Sequence, residues 1–193
     1  FTLIYSILVV LLYFTYKDHL EFRNPQFSER MAEEEEVSHY EQTVLTANEV
    51  FVYKVPPLRT ASGHRAEDWG LDKPVFTGAM KIFQTEKKLR IVIYRFNDPT
   101  TVLTTPENLT AFAECHIEVK PKEDITGYVD AVIDSSRYYV LRIQDPKNPT
   151  RSVHIGVGFR ERDTSFDFKN ALNDYVRFID RMALADQMAH MQL

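Results

Sequence analysis

Apolar and polar residues alternate along most of the chain after Glu41, which is the pattern of β-strands that bury one face. The clearest run sets apolar residues of one parity against small or polar residues of the other: Val153, Ile155, Val157 and Phe159 against Ser152, His154, Gly156 and Gly158. Six further strands are predicted at 50–55, 76–82, 89–96, 111–119, 129–133 and 138–143. Seven strands at hairpin-like spacing predict an antiparallel barrel or sandwich and not a parallel sheet.

The period changes near Asp163, and the last part of the chain is predicted to be helical. Apolar residues there recur in steps of 4, 3, 4 and 3, as in an amphipathic helix: Phe168, Leu172, Tyr175, Ile179 and Met182. Asp163 or Thr164 can cap this helix with a side-chain oxygen. Seven strands followed by one helix predict a mainly β fold, a pleckstrin-homology-like seven-stranded barrel in which the C-terminal helix caps one open end.

The charge is distributed unevenly along the 193 residues. Residues 1–40 carry 3 basic and 7 acidic side chains, whereas residues 41–181 carry 20 of each. A neutral folded part argues against nucleic-acid binding, which needs a clustered basic surface. The predicted organisation is an apolar segment at 1–16, an acidic flexible leader at 17–40, a barrel domain at 41–181, and a helix extension or tail at 182–193.

The apolar segment at 1–16 has no charged residue, and three interpretations of it stay open. It is a truncated membrane anchor, a signal-peptide remnant, or upstream sequence that does not belong to the functional protein. As a helix it would span about 24 Å, less than the roughly 30 Å of a bilayer core. Met31 opens the sequence MAEEEE, which looks like a natural start and favours the third interpretation, with the anchor second.

The residues point to a binding module and not to an enzyme. The sequence has no phosphate-binding loop, zinc-protease motif, nucleophile elbow or paired-cysteine metal spacing, so neither a metal nor a cofactor is predicted. Cys115 and His116 are neighbours in a predicted strand and would point to opposite faces. Gly156 and Gly158 are interpreted as positions where another group packs closely on a strand. The single cysteine favours a reducing compartment, in which the glycosylation sequon at Asn108 would stay unused.

Two basic regions are candidates for binding an anion. The connection between Pro56 and Pro74 has equal numbers of basic and acidic residues, which does not support strong phosphoinositide binding, although a lipid-surface module remains the alternative function. Arg160 and Arg162 lie just before the predicted helix, and Arg137 follows a turn at Asp134. These arginines form an anion-binding corner or simply pair with Glu161, Asp163 or Asp134. From chemistry alone the second interpretation is favoured.

Several segments make the chain resemble the adaptin-ear-binding coat-associated protein (NECAP) family over about residues 40–181. They are VYKVPP at 52–57, GHRAEDW at 63–69, LDKP at 71–74 leading to Thr77-Gly78, DSSRYYVLRIQD at 134–145 and IGVGF at 155–159, followed by Arg162 and FDF at 166–168. The segments occur in the family's order and with nearly its spacing. FDF superficially resembles the family's ligand motif, but it aligns with the family's own helix start and is interpreted as structural.

The resemblance implies a PHear domain, a pleckstrin-like barrel with a C-terminal helix, in a non-catalytic accessory protein of clathrin-mediated endocytosis. Such proteins act in the cytoplasm at clathrin-coated pits and vesicles. They bind FxDxF-type peptides of endocytic proteins and the plasma-membrane clathrin adaptor complex, favouring its open, phosphorylated form. Membrane contact would be indirect or through residues 1–16. Ser135 matches the family's adaptor-contacting serine and Arg162 its basic residue before the helix. Ser136, Arg137 and Arg160 complete the predicted partner-binding set.

The chain departs from the family pattern in three respects. Phe76 replaces a tryptophan, which is a packing change that should be tolerated. The stretches 97–110 and 121–126 are longer than in the family, so contacts made there do not carry over. The family's tail ends in a WxxF-type adaptin-ear ligand, whereas the only tryptophan here is Trp69, so ear binding is not expected from this chain as given.

Overall fold

The structure, a computed structural model, describes residues 41–58, 63–98, 100, 105–145 and 148–191. The predictions made for residues 1–16 and 17–40 lie outside these residues. The described part contains seven strands, two short 3₁₀ helices (Ala66–Trp69 and Pro106–Asn108) and one α-helix. The strands are β1 (Gln42–Lys54), β2 (Phe76–Thr85), β3 (Lys88–Phe96), β4 (Leu109–Ile117), β5 (Val129–Ala131), β6 (Tyr138–Asp145) and β7 (Asn148–Phe159), and the helix is α1 (Arg162–Met191).

All seven strands belong to one antiparallel sheet with the order β4-β3-β2-β1-β7-β6-β5. The two ends of the sheet approach each other. The Cys115 thiol at the end of β4 lies 3.7 Å from the carbonyl oxygen of Tyr128, and the Tyr128 hydroxyl donates to the carbonyl of Glu118 at 3.2 Å. The sheet therefore curls towards closure, and the predicted mainly β, pleckstrin-homology-like barrel with one C-terminal helix is confirmed.

The apolar stripe of α1 covers one end of the barrel. Phe168, Leu172, Tyr175 and Ile179 are buried in the same cluster as the inward side chains of the strands. The Tyr175 hydroxyl donates to the carbonyl of Lys87 at 2.7 Å, which fixes the helix over the β2–β3 turn. This arrangement makes the helix part of the core, because each large apolar side chain that it buries contributes about 1.5–3 kcal/mol.

Two details of the predicted helix were wrong. Met182, the fifth member of the stripe, is 36% exposed. The buried positions run only from Ser165 to Ile179, about 21 Å at 1.5 Å per residue, whereas the whole helix is about 45 Å long and extends beyond the barrel end. The helix also begins at Arg162, so Asp163 and Thr164 lie inside its first turn and not before it.

Strand β1 begins eight residues earlier than the predicted strand at 50–55. Its first half pairs with β2, with Ala47 opposite Met80, but the register shifts between Ala47 and Val50. This irregularity breaks the two-residue period, because residues before and after it no longer keep the same parity on one face. The alternation that predicts strands from sequence was therefore absent at the start of β1.

A second apolar cluster lies apart from the main core and includes the connection between β1 and β2. Trp69, at the end of the first 3₁₀ helix, packs with Tyr53, Val140 and Tyr138. A Cβ atom at Gly156 would lie 2.6 Å from Cζ3 of Trp69, and one at Gly158 would collide with the ring of Tyr138. The interpretation of these two glycines as sites of close packing is confirmed.

Candidate functional site

The turn between β5 and β6 is tied to the 3₁₀ helix at 66–69 through Asp134. The Asp134 carboxylate accepts hydrogen bonds from the backbone N–H groups of Ala66, at 2.8 Å, and Glu67, at 3.0 Å. Burial opposes ionisation of Asp134, but the hydrogen bonds from backbone N–H groups, together with the nearby charge of Arg65, outweigh burial and lower the pKa of this carboxyl. Asp134 thus joins the Trp69 segment to the turn that contains Ser135 and Ser136.

A buried serine of α1, Ser165, forms a hydrogen bond to the same turn. Ser165 is 1% exposed, and its hydroxyl donates to the carbonyl of Ser136 at 2.7 Å. The Tyr139 hydroxyl lies 3.2 Å from the same Oγ. Arg137 completes the support, since its N–H donates to Ser135 Oγ at 3.2 Å and its carbonyl accepts from the N–H of Phe159 at 3.0 Å. Ser135 and Ser136 therefore lie on a pre-organised turn.

A pocket of about 260 Å³ lies between this turn and the first two turns of α1. It is lined by Ala131, Ser135, Ser136, Tyr139, Arg162, Phe166 and Lys169. Arg162, Phe166 and Lys169 are spaced four and three residues apart, so they lie on one face of the helix. Among the residues that the structure describes, neither Arg162 nor Lys169 forms an ion pair. The pocket therefore combines an apolar floor with two unpaired cations.

The structure separates the five predicted site residues into two groups. Ser135, Ser136 and Arg162 line the pocket, whereas Arg137 and Arg160 do not. The guanidinium of Arg160 pairs with Glu49 of β1, with Nη2 2.9 Å from Oε1, and lies 5.1 Å from the ring centroid of Phe51. The hydrogen bond from Arg160 lowers the pKa of Glu49.

The cause of this separation is pairing within the fold. The sequence analysis considered Glu161, Asp163 and Asp134 as partners of these arginines. The carboxylate that binds Arg160 comes instead from Glu49 in β1, which is distant in sequence. The guanidinium of Arg137 donates through Nη1 to the carbonyl of Arg160 at 2.9 Å. Both side chains have structural partners, so they support the corner and do not face the pocket.

Four lining residues were missed by the sequence analysis: Ala131, Tyr139, Phe166 and Lys169. The interpretation of the FDF segment as structural holds for Phe168, which is buried, but Phe166 is 62% exposed at the pocket. The spacing of Phe166 and Lys169 from Arg162 is visible in the sequence and could have placed them on the same helix face. Ala131 and Tyr139 have no such signal, because they come from strands that tertiary contacts bring under the helix.

The β1–β2 connection shows little free positive charge among its described residues. Arg65 forms an ion pair with Glu67, with Nε 2.5 Å from Oε1. Trp69, at the end of the 3₁₀ helix within this connection, packs inward. This geometry does not add to the case for phosphoinositide binding at that loop.

The other residues that the sequence analysis considered for chemistry are Cys115, His116 and Asn108 of the sequon. Cys115 is buried, and desolvation raises the pKa of its thiol to about 12, while His116 is exposed. Asn108 of the sequon is only 9% exposed, and its side-chain oxygen accepts from the N–H of Asp98 at 2.7 Å.

Within the described ranges, no group of three or more His, Cys, Asp or Glu side chains is placed to hold a metal ion. No helix in that part of the chain is both long and apolar enough to cross a bilayer.

Comparison with known proteins identifies the family. The model of the family described as "Protein of unknown function (DUF1681)" matches residues 40–192. Adaptin ear-binding coat-associated protein 2 of Rattus norvegicus is 34% identical over 144 residues, which are 75% of this chain and 49% of that protein. The chain belongs to the NECAP family. This confirms the resemblance drawn from the sequence segments.

Two further relatives and one solved structure are also similar to the chain. Adaptin ear-binding coat-associated protein 1 of Mus musculus is 36% identical over 140 residues, covering 72% of this chain and 45% of that protein. An uncharacterised protein of Arabidopsis thaliana is 32% identical over 149 residues, covering 77% and 49%. The chain thus spans about half the length of the curated relatives that it matches. The Ran-binding domain of Nup2 from Ashbya gossypii has a TM-score of 0.42 and 9% identity, covering 72% of this chain and 97% of that one.

Proposed function

We propose that this domain is a non-catalytic binding module of clathrin-mediated endocytosis. In this proposal it binds FxDxF-type peptides of endocytic proteins and the plasma-membrane clathrin adaptor complex, in the cytoplasm at coated pits and vesicles. The observation that carries the proposal is the pocket, in which the guanidinium of Arg162, which forms no ion pair within the described part of the chain, lies beside an exposed aromatic ring, Phe166. The names of the mammalian relatives, which call them adaptin ear-binding and coat-associated, support the same class of function.

The pocket chemistry suits a short peptide that joins a carboxylate to phenylalanine side chains. The planar Arg162 guanidinium can donate two parallel hydrogen bonds to a carboxylate or a phosphate. Phe166, which is 62% exposed, offers aromatic surface for a phenyl group, and offset or edge-to-face aromatic pairs contribute about 0.5–1.5 kcal/mol beyond area burial. The Ser135 and Ser136 turn closes the other side of the pocket, where an adaptor surface would meet it.

The test is a titration of a fluorescent FxDxF peptide against the wild-type chain and three variants. Arg162→Glu removes the cation and adds a repelling charge, so we expect peptide affinity to fall about tenfold or more, because a hydrogen bond to a charged group contributes about 1.5–3 kcal/mol. Ser135→Asn enlarges a side chain at the rim of the pocket, and we expect it to weaken binding of the adaptor, which is measured separately by capture on the immobilised domain. Arg177→Glu is the matched control, since Arg177 is an exposed arginine of the same helix outside the pocket.

The adaptor part of the proposal needs its own measurement. The phosphorylated and unphosphorylated adaptor cores should be captured on the immobilised domain, and we expect stronger capture of the phosphorylated core that is lost in Arg162→Glu. If peptide and adaptor binding both survive Arg162→Glu and Ser135→Asn, the pocket is not the binding site. Flotation with liposomes that contain phosphoinositide tests the alternative, a lipid-surface module. Headgroup-dependent flotation without peptide binding would replace the proposed function.

A further inference from the structure

The pocket carries a second cation that the predicted site did not include. Arg162 and Lys169 are seven residues apart on one face of α1, which places them about 10.5 Å apart along the helix axis at 1.5 Å per residue. Among the residues that the structure describes, the lining of the pocket contains both cations and no carboxylate. The nearest carboxylate of the opposing turn, Asp134, is occupied by two backbone N–H groups. The described lining of the pocket therefore carries two positive charges, those of Arg162 and Lys169.

An exposed aromatic ring separates the two cations. Phe166 lies between Arg162 and Lys169 in the helix and is 62% exposed, although it borders an apolar floor formed by Ala131 and Tyr139. An extended peptide rises about 3.3 Å per residue, so a span of about 10.5 Å corresponds to roughly three residues. A ligand that pairs with both cations and also covers the ring would have two anions about three residues apart, with an apolar side chain between them.

We propose that Lys169 is a second anion-contacting residue and that the pocket prefers extended peptides with two acidic side chains three residues apart, flanking an aromatic residue. This rests on the proposed function, because it assigns the specificity of the same peptide site. The occupant is a peptide and not a polyphosphate headgroup, since a headgroup has charges but no apolar group to cover Phe166. Lys169 acts as a specificity-determining residue, whereas Arg162 contacts the anion common to all ligands.

The probes are four fluorescent peptides titrated by anisotropy. Two place glutamate three residues from aspartate on either side, Phe-Ala-Asp-Ala-Phe-Glu and Glu-Phe-Ala-Asp-Ala-Phe, and two are the same peptides with glutamine instead of glutamate. We expect one glutamate peptide to bind about two- to fivefold more tightly than its glutamine partner, the range of an exposed ion pair. Because the added pair is solvent-accessible, the difference should shrink at high salt.

The variants decide whether Lys169 is the cause of this preference. Lys169→Gln should abolish the gain from glutamate and leave binding of the glutamine peptides nearly unchanged. Arg162→Gln should weaken all four peptides. Lys88→Gln is the matched control, since Lys88 is an exposed lysine at the start of β3, outside the pocket lining, and it should keep the gain.

The outcomes separate this inference from the proposed function. If the glutamine peptides bind through Arg162 but glutamate brings no gain in either position, the inference is wrong and the peptide site stands. A gain that persists in Lys169→Gln also overturns it. If none of the four peptides binds the wild-type chain, both proposals fail. Displacement of bound peptide by inositol hexakisphosphate at concentrations below that of the peptide would assign the two cations to a polyanionic headgroup and overturn the inference.

Discussion

Replacing Gly156 by alanine tests how the Trp69 segment is fixed to the barrel. The new Cβ atom would lie 2.6 Å from Cζ3 and 2.7 Å from Cε3 of the indole, closer than carbon atoms can pack without a shift. The indole is a rigid ring backed by aromatic neighbours, with ring centroids 6.0 Å away at Tyr53 and 6.1 Å away at Tyr138. The collision therefore moves a buried ring and not a flexible chain end.

Two opposing effects set the size of the change. Forcing a methyl group into a well-packed site costs about 1–3 kcal/mol. Alanine also lowers the conformational entropy of the unfolded chain, which stabilises the fold by about 0.4–1 kcal/mol where the backbone accepts it. Gly156 is outside the left-handed region, so this second effect applies. The steric cost is the larger one, and we expect Gly156→Ala to lower the free energy of unfolding by about 1–2 kcal/mol.

The assay is urea unfolding followed by far-ultraviolet circular dichroism, in a double-mutant cycle with Trp69→Ala. Without the indole the new methyl group has room, so Gly156→Ala should be neutral or slightly stabilising in that background. The coupling between the two positions is then about the whole steric cost. The reasoning would be refuted by an equal loss of stability in both backgrounds, or by no loss in the presence of Trp69.

Three further predictions concern Ser165 and Asp134, which support the site, and Cys115 of the main core. Ser165→Ala should lower the free energy of unfolding by about 1–3 kcal/mol, because it removes the hydrogen-bond partner of the Tyr139 hydroxyl and of the Ser136 carbonyl. The exposed control Ser152→Ala should change it by no more than about 0.5 kcal/mol. Similar values for both variants would contradict the buried hydrogen-bond network. Asp134→Asn should be destabilising at pH 7. The pKa of Asp134 in the folded chain lies below the unfolded value of about 3.9, so the stabilisation by its carboxylate is complete above about pH 3.9 and is lost as pH falls through the folded pKa. If the difference in unfolding free energy between Asp134→Asn and wild type stays constant in acid, the carboxylate is not the cause. Cys115, with its pKa raised to about 12, should react with an aromatic disulfide reagent at pH 8 only as fast as the chain unfolds, and rapid labelling of the native protein would show that the thiol is accessible.

Most of the fold was predictable because its pattern is local. The alternation at 152–159 and the helical stripe from Phe168 to Ile179 depend on neighbouring residues, and the strand and the helix that they predict were both found in the structure. One member of the predicted inward face was wrong, since Val153 is 66% exposed. The pattern failed where packing or register interrupts it. The register shift after Ala47 hid the first half of β1, and the position of the barrel end decided that Met182 is exposed.

The candidate site depended more on tertiary structure. The resemblance singled out Ser135 and Arg162, and the pocket brings these two together. The apolar floor could not be predicted, since Tyr139 joins it only because β6 passes beneath the start of α1 and Ser165 reaches its hydroxyl.

The sequence by itself determined a seven-stranded barrel with a C-terminal helix, a neutral folded part and an arginine-rich corner before that helix. It did not determine which arginine is paired within the fold, because Arg160 and Arg162 stand in nearly the same sequence surroundings. Tertiary structure decided this point. The register of β1 against β7 brings Glu49 to the guanidinium of Arg160, while Arg162 faces the pocket unpaired among the described residues. A charge is paired or free according to which groups the fold brings within a few ångströms of it, and those groups come from distant parts of the chain.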